Sequence, residues 1–194
     1  MDLDAAEIRV LGCLVEKQRT TPDAYPLSVN ALRLACNQAT NRDPVVDYDE
    51  PAIRDALAGL SRRGWAPLAS GPGSRAVKYR HLLDDALGLD DAEISLLAVL
   101  MLRGPQTPGE LKQRSERLHR FGSVPEAIET LETLVSRELA VRLPRRPGQK
   151  EERYAHALGA DSPEAPAAAE DDRVGTLERR LAEVEARLDA LEAR

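Results

Sequence analysis

Apolar residues along this chain fall into two kinds of run, and each kind occurs twice. Ile8, Leu11, Leu14 and Val15 step by three and four, as do Ile94, Leu97, Leu100 and Met101. That spacing predicts an amphipathic helix at each place. Both helices have a marked start. Asp4-x-x-Glu7 and Asp90-x-x-Glu93 have the capping-box form, in which the Asp side chain takes the N3 amide and the Glu reaches back. A second helix is expected after Tyr25-Pro26-Leu27-Ser28 and again from Thr107-Pro108-Gly109-Glu110. There Thr107 caps, Pro108 stands where no N–H is needed, and Glu110 closes the box. Third helices begin at Asp49 and Ser123, with Pro51 and Pro125 in the first turn. Ile53, Leu57 and Leu60 would face inward in one, and Ala127, Leu131 and Leu134 in the other.

The second kind of run alternates. Residues 66–69 lead through Ser70-Gly71-Pro72-Gly73-Ser74 into 76–83, where Val77, Tyr79, His81 and Leu83 share one face. Residues 141–143 lead through a Pro- and Gly-containing turn into 153–158, where Tyr154, His156 and Leu158 do the same. Alternation across such a turn predicts a hairpin. Three helices and a hairpin make the winged-helix form of helix-turn-helix.

The two runs are copies of each other. Leu3-Asp4-Ala5-Ala6-Glu7-Ile8 returns as Leu89-Asp90-Asp91-Ala92-Glu93-Ile94, and Thr21-Pro22 returns at the same offset as Thr107-Pro108. The period is too long for a solenoid and fits a small domain. The expected fold is mainly α with small β-hairpins: winged-helix domains at residues 1–85 and 88–158. One difference stands out, a long cap- and turn-rich connection in the first copy from Asn37 to Pro44.

Two segments follow. Residues 159–172 are Ala, Pro, Glu and Asp with no large apolar side chain, which reads as a solvated linker. In residues 173–194, Val174, Leu177, Leu181, Val184, Leu188 and Leu191 fall at alternating steps of three and four, an a/d heptad. Arg173, Arg180, Arg187 and Arg194 take the g positions, and Glu178, Glu185 and Glu192 the e positions. A parallel pair would join Arg to Glu at each g–e′ contact, so a coiled-coil homodimer is expected over docking on the chain's own core.

Charge matters only once divided. The formal net charge is −6, yet residues 1–158 hold 22 basic and 23 acidic side chains, residues 159–172 hold five acids and no base, and residues 173–194 hold five of each. The winged-helix region is therefore near neutral, and local pattern must decide between partners. No apolar run is long enough for a membrane span, and the charged N-terminus is unlike a signal peptide, so a cytoplasmic protein with no membrane partner is expected. Two Cys, Cys13 and Cys36, and three His match no metal spacing; the cysteines read as reduced core residues.

Several stretches resemble the YceH family, a bacterial family of unknown function. They are Ile8-Arg9-Val10-Leu11-Gly12, Glu16-Lys17, Thr20-Thr21-Pro22-Asp23-x-Tyr25-Pro26-Leu27-Ser28, Ala35-Cys36-Asn37-Gln38 and Asn41-Arg42-Asp43-Pro44-Val45. Met101-Leu102-Arg103-Gly104-Pro105-Gln106-Thr107-Pro108-Gly109-Glu110-Leu111 and Leu143-Pro144-Arg145-x-Pro147-Gly148-Gln149-Lys150-Glu151 extend the likeness across residues 1–158. The resemblance implies tandem winged helices and no established activity.

No constellation points to catalysis. His81 and His156 are the same position of the two copies, which favours packing over chemistry. His119 has no marked nucleophile, and nothing evident would activate either thiol. No phosphate-binding glycine motif or paired-carboxylate signature occurs. A non-enzymatic protein without cofactor, metal or catalytic residues is expected.

DNA is the sharper partner hypothesis, since winged helices often place helix three in the major groove. The third helix of the second copy opposes it: residues 123–138 carry Glu126, Glu129, Glu132 and Glu138 against Arg137. In the first copy, Arg54 and Ser61 are candidates to reach a groove. The wings offer Arg75, Lys78 and Arg80 in one copy and Arg142, Arg145, Arg146, Lys150 and Arg153 in the other, with Lys112, Arg114, Arg117 and Arg120 on the second copy's helix two. Such a set would contact phosphate with little base readout. The rival is a protein-interaction module that binds no nucleic acid, whose acidic third helix would suit a basic partner.

Overall fold

Polar caps placed by the sequence open most helices of the structure, a computed structural model that describes residues 1–69, 76–145 and 151–159. Helices α1 (Ala5–Thr20) and α5 (Asp91–Arg103) start on the capping boxes of Asp4 with Glu7 and Asp90 with Glu93. Ser28 caps α2 (Val29–Cys36), and Thr107 with Glu110 caps α6 (Pro108–Ser115). Asp49 caps α3 (Glu50–Arg62) and Ser123 caps α7 (Val124–Ser136). Each such side chain satisfies an amide that the helix itself leaves without a partner.

The remaining elements are small. β1 (Leu27–Ser28) pairs antiparallel with β2 (Lys78–Tyr79), and β3 (Ala140–Leu143) pairs antiparallel with β4 (Arg153–His156). The described residues are thus mainly helical with small antiparallel β pairs, consistent with a winged-helix-like fold. In both halves the wing tyrosine bridges two neighbours. Tyr79 lies opposite Leu27 and Leu68; Tyr154 lies opposite Arg142 and Gln106. The segment before the second helix therefore joins the hairpin as a third extended piece, which the alternation pattern did not announce.

Three sequence expectations change. The 76–83 strand is short: only Lys78 and Tyr79 are in β2, and Leu83 begins a helical turn, α4 (Leu83–Leu87). The chain leaves the ladder because the His81 amide donates to the Tyr25 hydroxyl at 2.7 Å and the Leu82 amide donates to the Trp65 carbonyl at 2.8 Å. Gly88 then ends the turn in the left-handed region at φ 59°. Val77, expected inward, is exposed.

The third change concerns α1 and α5, which are not amphipathic. Every residue from Glu7 to Val15 and from Glu93 to Leu102 is buried. The two helices pack against each other and are covered on their other sides by α2 and α3, and by α6, α7 and β4. A helix apolar on all sides is a core helix. The halves consequently share one continuous apolar core within one compact unit. Gly12 sits at the seam: a Cβ there would lie 3.0 Å from the Leu102 side chain and 3.1 Å from that of Met101.

The connection unique to the first copy crosses this seam. The Asp43 amide donates to the Leu102 carbonyl at 2.9 Å, supplying one of the donors that the end of α5 needs, and Arg103 donates to the Asn41 side chain. Arg9 of α1 donates to the Cys36 carbonyl at 3.2 Å and the Pro44 carbonyl at 2.7 Å. The segment is a strap that ties the end of α2 to both central helices.

Candidate functional site

The two residues expected to reach a DNA groove from α3 each have an internal partner, though the Arg54 pair is exposed to solvent. Arg54 pairs with Glu50 at 2.6 Å, one turn earlier, and the Ser61 hydroxyl donates to the Ala66 carbonyl at 2.6 Å. Ser61 thus closes the corner between α3 and the wing. On α7, Glu126 accepts from the Gly122 amide at 2.7 Å. Glu132 accepts from Arg142 and from the Tyr154 hydroxyl, the latter at 2.5 Å. Arg142 also lies over the Tyr154 ring and 3.7 Å from Glu152. A wing cation and a third-helix acid neutralise each other, which lowers the Glu132 carboxyl, against burial, through its hydrogen bonds from Tyr154 and Arg142. Arg80 and Arg145 are exposed, and Lys78 is half-buried in β2. Arg75, Arg146 and Lys150 lie outside the described residues, as does the heptad helix with Val174, Leu177, Leu181, Val184, Leu188 and Leu191.

The predicted α6 residues belong to a larger feature. A groove of about 930 Å³ opens where the end of α1, the strap, the end of α5 and the end of α6 meet. Its cations are Lys17, Arg103, Arg114 and Arg117; its acids are Glu16 and Glu116. Lys112, one position aside, lines a neighbouring groove of about 640 Å³ with Gln113, Glu116 and Arg120. Sequence reading named Arg114 and Arg117 but missed Lys17 and Arg103 as site residues. The signal was present, since Lys17 maps onto Arg103 by the offset that carries Thr21 onto Thr107. Each copy delivers a cation from the last turn of its first helix, where it also meets the negative helix end.

The groove's acids are already engaged. Glu16 receives two bonds from the fully buried Arg42 side chain, at 3.1 and 2.6 Å, and stands 3.5 Å from Lys17. Glu116 pairs with Arg120 at 3.4 Å, and Glu110 pairs with Arg114 at 3.4 Å. Burial, followed by repulsion from Arg114 and Arg42, holds the Arg103 guanidinium below its ordinary value. Positive charge is therefore in excess at this face, the reverse of α7.

Both thiols and one of the imidazoles are buried. Cys13 and Cys36 meet across α1 and α2 as buried free thiols. The hydrogen bond from that neighbour, then burial, pushes the Cys36 thiol up. His81 is 2% exposed, with its Nε2 2.6 Å from the Gln18 Oε1. Burial holds both His81 and His156 below the ordinary imidazole value of 6.5. The unfolded chain takes up protons on them near 6.5, before the folded chain does, so stability rises with pH across that interval. Urea unfolding is expected to show near-constant stability between about pH 7 and 8, below the range where thiols and phenols titrate. It should decline as pH falls from 6.5 toward 5, before carboxylates with an ordinary value of 4.5, such as Glu16, contribute. The double variant His81→Gln/His156→Gln should flatten that decline; an unchanged slope would assign it to other groups.

Comparison with known proteins places this architecture in a family. The family described as "Protein of unknown function, DUF480" matches residues 3–149. A UPF0502 protein of Pseudomonas fluorescens (strain Pf0-1) is 47% identical over 199 residues, covering 99% of this chain and 91% of the relative. A UPF0502 protein of Shewanella amazonensis is 44% identical over 209 residues, covering 98% of each. The UPF0502 protein YceH of Salmonella paratyphi B is 45% identical over 206 residues, covering 98% of this chain and 96% of the relative.

Proposed function

We propose that this chain, which belongs to the DUF480 family, is a non-enzymatic tandem winged-helix protein that associates with duplex DNA through phosphate contacts and reads few bases. One observation carries the reading: cations that are exposed or half-buried concentrate on the α6 side. Residues 103–120 hold five basic side chains, Arg103, Lys112, Arg114, Arg117 and Arg120, against Glu110 and Glu116. A helix-turn-helix commonly reads DNA from its third helix, but here Arg54 and Ser61 have internal partners and α7 is acidic. Contacts from α6 and the wings would be electrostatic and indifferent to sequence. The heptad at 173–194 would pair two copies and so double the contact surface.

A protein-docking role is the second reading, supported by the exposed acids of α7, Glu126 and Glu129. Binding of a labelled random duplex at several salt concentrations separates the two. If DNA is the partner, the slope of log affinity against log salt should be about −0.9 for each phosphate neutralised. Replacing Arg145, Arg146 and Lys150 by Gln should weaken binding to all sequences alike and make that slope shallower. Glu126→Gln with Glu129→Gln should leave binding unchanged or strengthen it. In the same series, sedimentation of the full chain against one ending at Gly159 reads the coil. An unchanged mass would remove the coil as the dimer contact, and no salt-sensitive binding at low salt would leave the docking reading.

A further inference from the structure

We infer that the groove between α1, the strap, α5 and α6 is a binding site for a ligand bearing adjacent phosphates, held by Lys17, Arg103, Arg114 and Arg117. Four observations converge. The groove holds about 930 Å³, at the upper end of the range for small-molecule sites. Its four cations come from α1, α5, α6 and the turn after α6, and from both copies of the repeat, so the complete set exists only where the halves meet. Neighbouring acids offset them only in part: Glu16 stands 3.5 Å from Lys17 and Glu110 pairs with Arg114 at 3.4 Å, but the groove's own acids are shared with cations outside the set. Glu16 is held by Arg42 through two bonds and Glu116 pairs with Arg120. Arg117 is exposed and has no ion pair among the described residues.

The chemistry fits phosphate better than carboxylate. Two charges on one ligand would span several cations at once, and guanidinium groups donate in pairs to phosphate oxygens. Arg103 is preset for this by its bond to the Asn41 side chain, which fixes the head group at the groove wall. The neutral lining is mixed: Thr20, Thr21, Gln38 and Gln113 are polar, while Val99, Leu102 and Leu118 supply an apolar floor, so the rest of such a ligand would meet both kinds of surface. The adjacent phosphates could belong to a free phosphorylated molecule or to a nucleic-acid backbone.

The site does not rest on the DNA reading, and one experiment keeps them apart. The probe is inorganic pyrophosphate, titrated into the full chain by calorimetry at low salt, where charge contacts are least screened. One saturable site is expected. Arg117→Gln should weaken it about tenfold, the loss typical of one charged hydrogen bond, and Arg103→Gln should weaken it at least as much. Arg117→Gln is the decisive variant, since that side chain makes no described internal bond and its loss leaves the fold alone. Arg54→Gln, on α3 outside the groove, should bind pyrophosphate like the parent. Pyrophosphate heat that never saturates, or that survives Arg117→Gln and Arg103→Gln, would overturn the site. An unlabelled duplex then identifies the source. If it displaces pyrophosphate, the groove holds backbone phosphates. If pyrophosphate stays bound beside the duplex, or no duplex binds, the groove serves a free phosphorylated molecule.

Discussion

Glu16→Ala is expected to destabilise the protein by about 3–5 kcal/mol, because it strands a buried guanidinium. The Arg42 side chain is 0% exposed and Glu16 is 14% exposed. Arg42 donates to both Glu16 oxygens, and also to the Ala35 carbonyl at 3.1 Å, the Asn41 carbonyl at 2.8 Å and the Gln38 side chain at 3.2 Å. No other acid of the described residues is bonded to it, so removal of Glu16 leaves carbonyls to hold a full charge. Breaking a buried pair costs far more than the pair's net contribution, since the orphaned ion keeps its desolvation penalty. The melting temperature should drop by roughly 10 °C or more for a chain of this length. The double variant Glu16→Gln/Arg42→Met should be milder than Glu16→Ala, because it removes both charges together. If Glu16→Ala stays within about 1 kcal/mol of the parent, Arg42 must be reaching water or another partner. The same measurement tests the strap, whose conformation from Gln38 to Asn41 is fixed by this guanidinium.

Leu97→Ala is expected to destabilise both halves of the protein at once, by about 2–5 kcal/mol. Leu97 is fully buried on α5, in the core that α5 shares with α1. Gly12→Val should act at the same seam by overpacking. Its new side chain would meet Leu102 and Met101, already at 3.0 and 3.1 Å from a bare Cβ, with an expected loss of about 1–3 kcal/mol. The readout that matters is cooperativity. Trp65 is the chain's single tryptophan and lies in the first half, whereas Leu97 lies in the second. Trp65 fluorescence and far-ultraviolet dichroism should move together to one lower midpoint in Leu97→Ala. If fluorescence keeps the parent midpoint while dichroism shows an earlier step, the halves are independent folding units and the shared core is only a docking face.

Those two sites also show where sequence reading works and where it stops. Capping is local, so Asp4, Ser28, Asp49, Asp90, Thr107 and Ser123 mark helix starts within a few residues of themselves, and each does cap its helix. The inward faces of α3 and α7 were legible for the same reason: Ile53, Leu57, Leu60, Ala127, Leu131 and Leu134 follow a helical period, and each is buried. The family resemblance was legible too, since its motifs are contiguous. Run length along the sequence offered no candidate span, and no helix of the described residues is long and apolar enough to cross a membrane.

Tertiary structure decided everything that depends on which surfaces meet. The stripe from Ile8 to Val15 looked one-sided, yet α1 is buried all round because α5 covers the side left for water. Arg42 read as one charge among many in a turn-rich stretch, and only the fold shows it bonded across 26 residues to Glu16. Arg54 and Ser61 had suitable positions for DNA, but whether a side chain is free depends on neighbours that one helix cannot reveal. The groove is the clearest case. Sequence alone determined that Lys17 and Arg103 are equivalent positions of a repeat. That they converge with Arg114 and Arg117 follows from packing α1 against α5, because burial of two apolar helices brings their charged ends together.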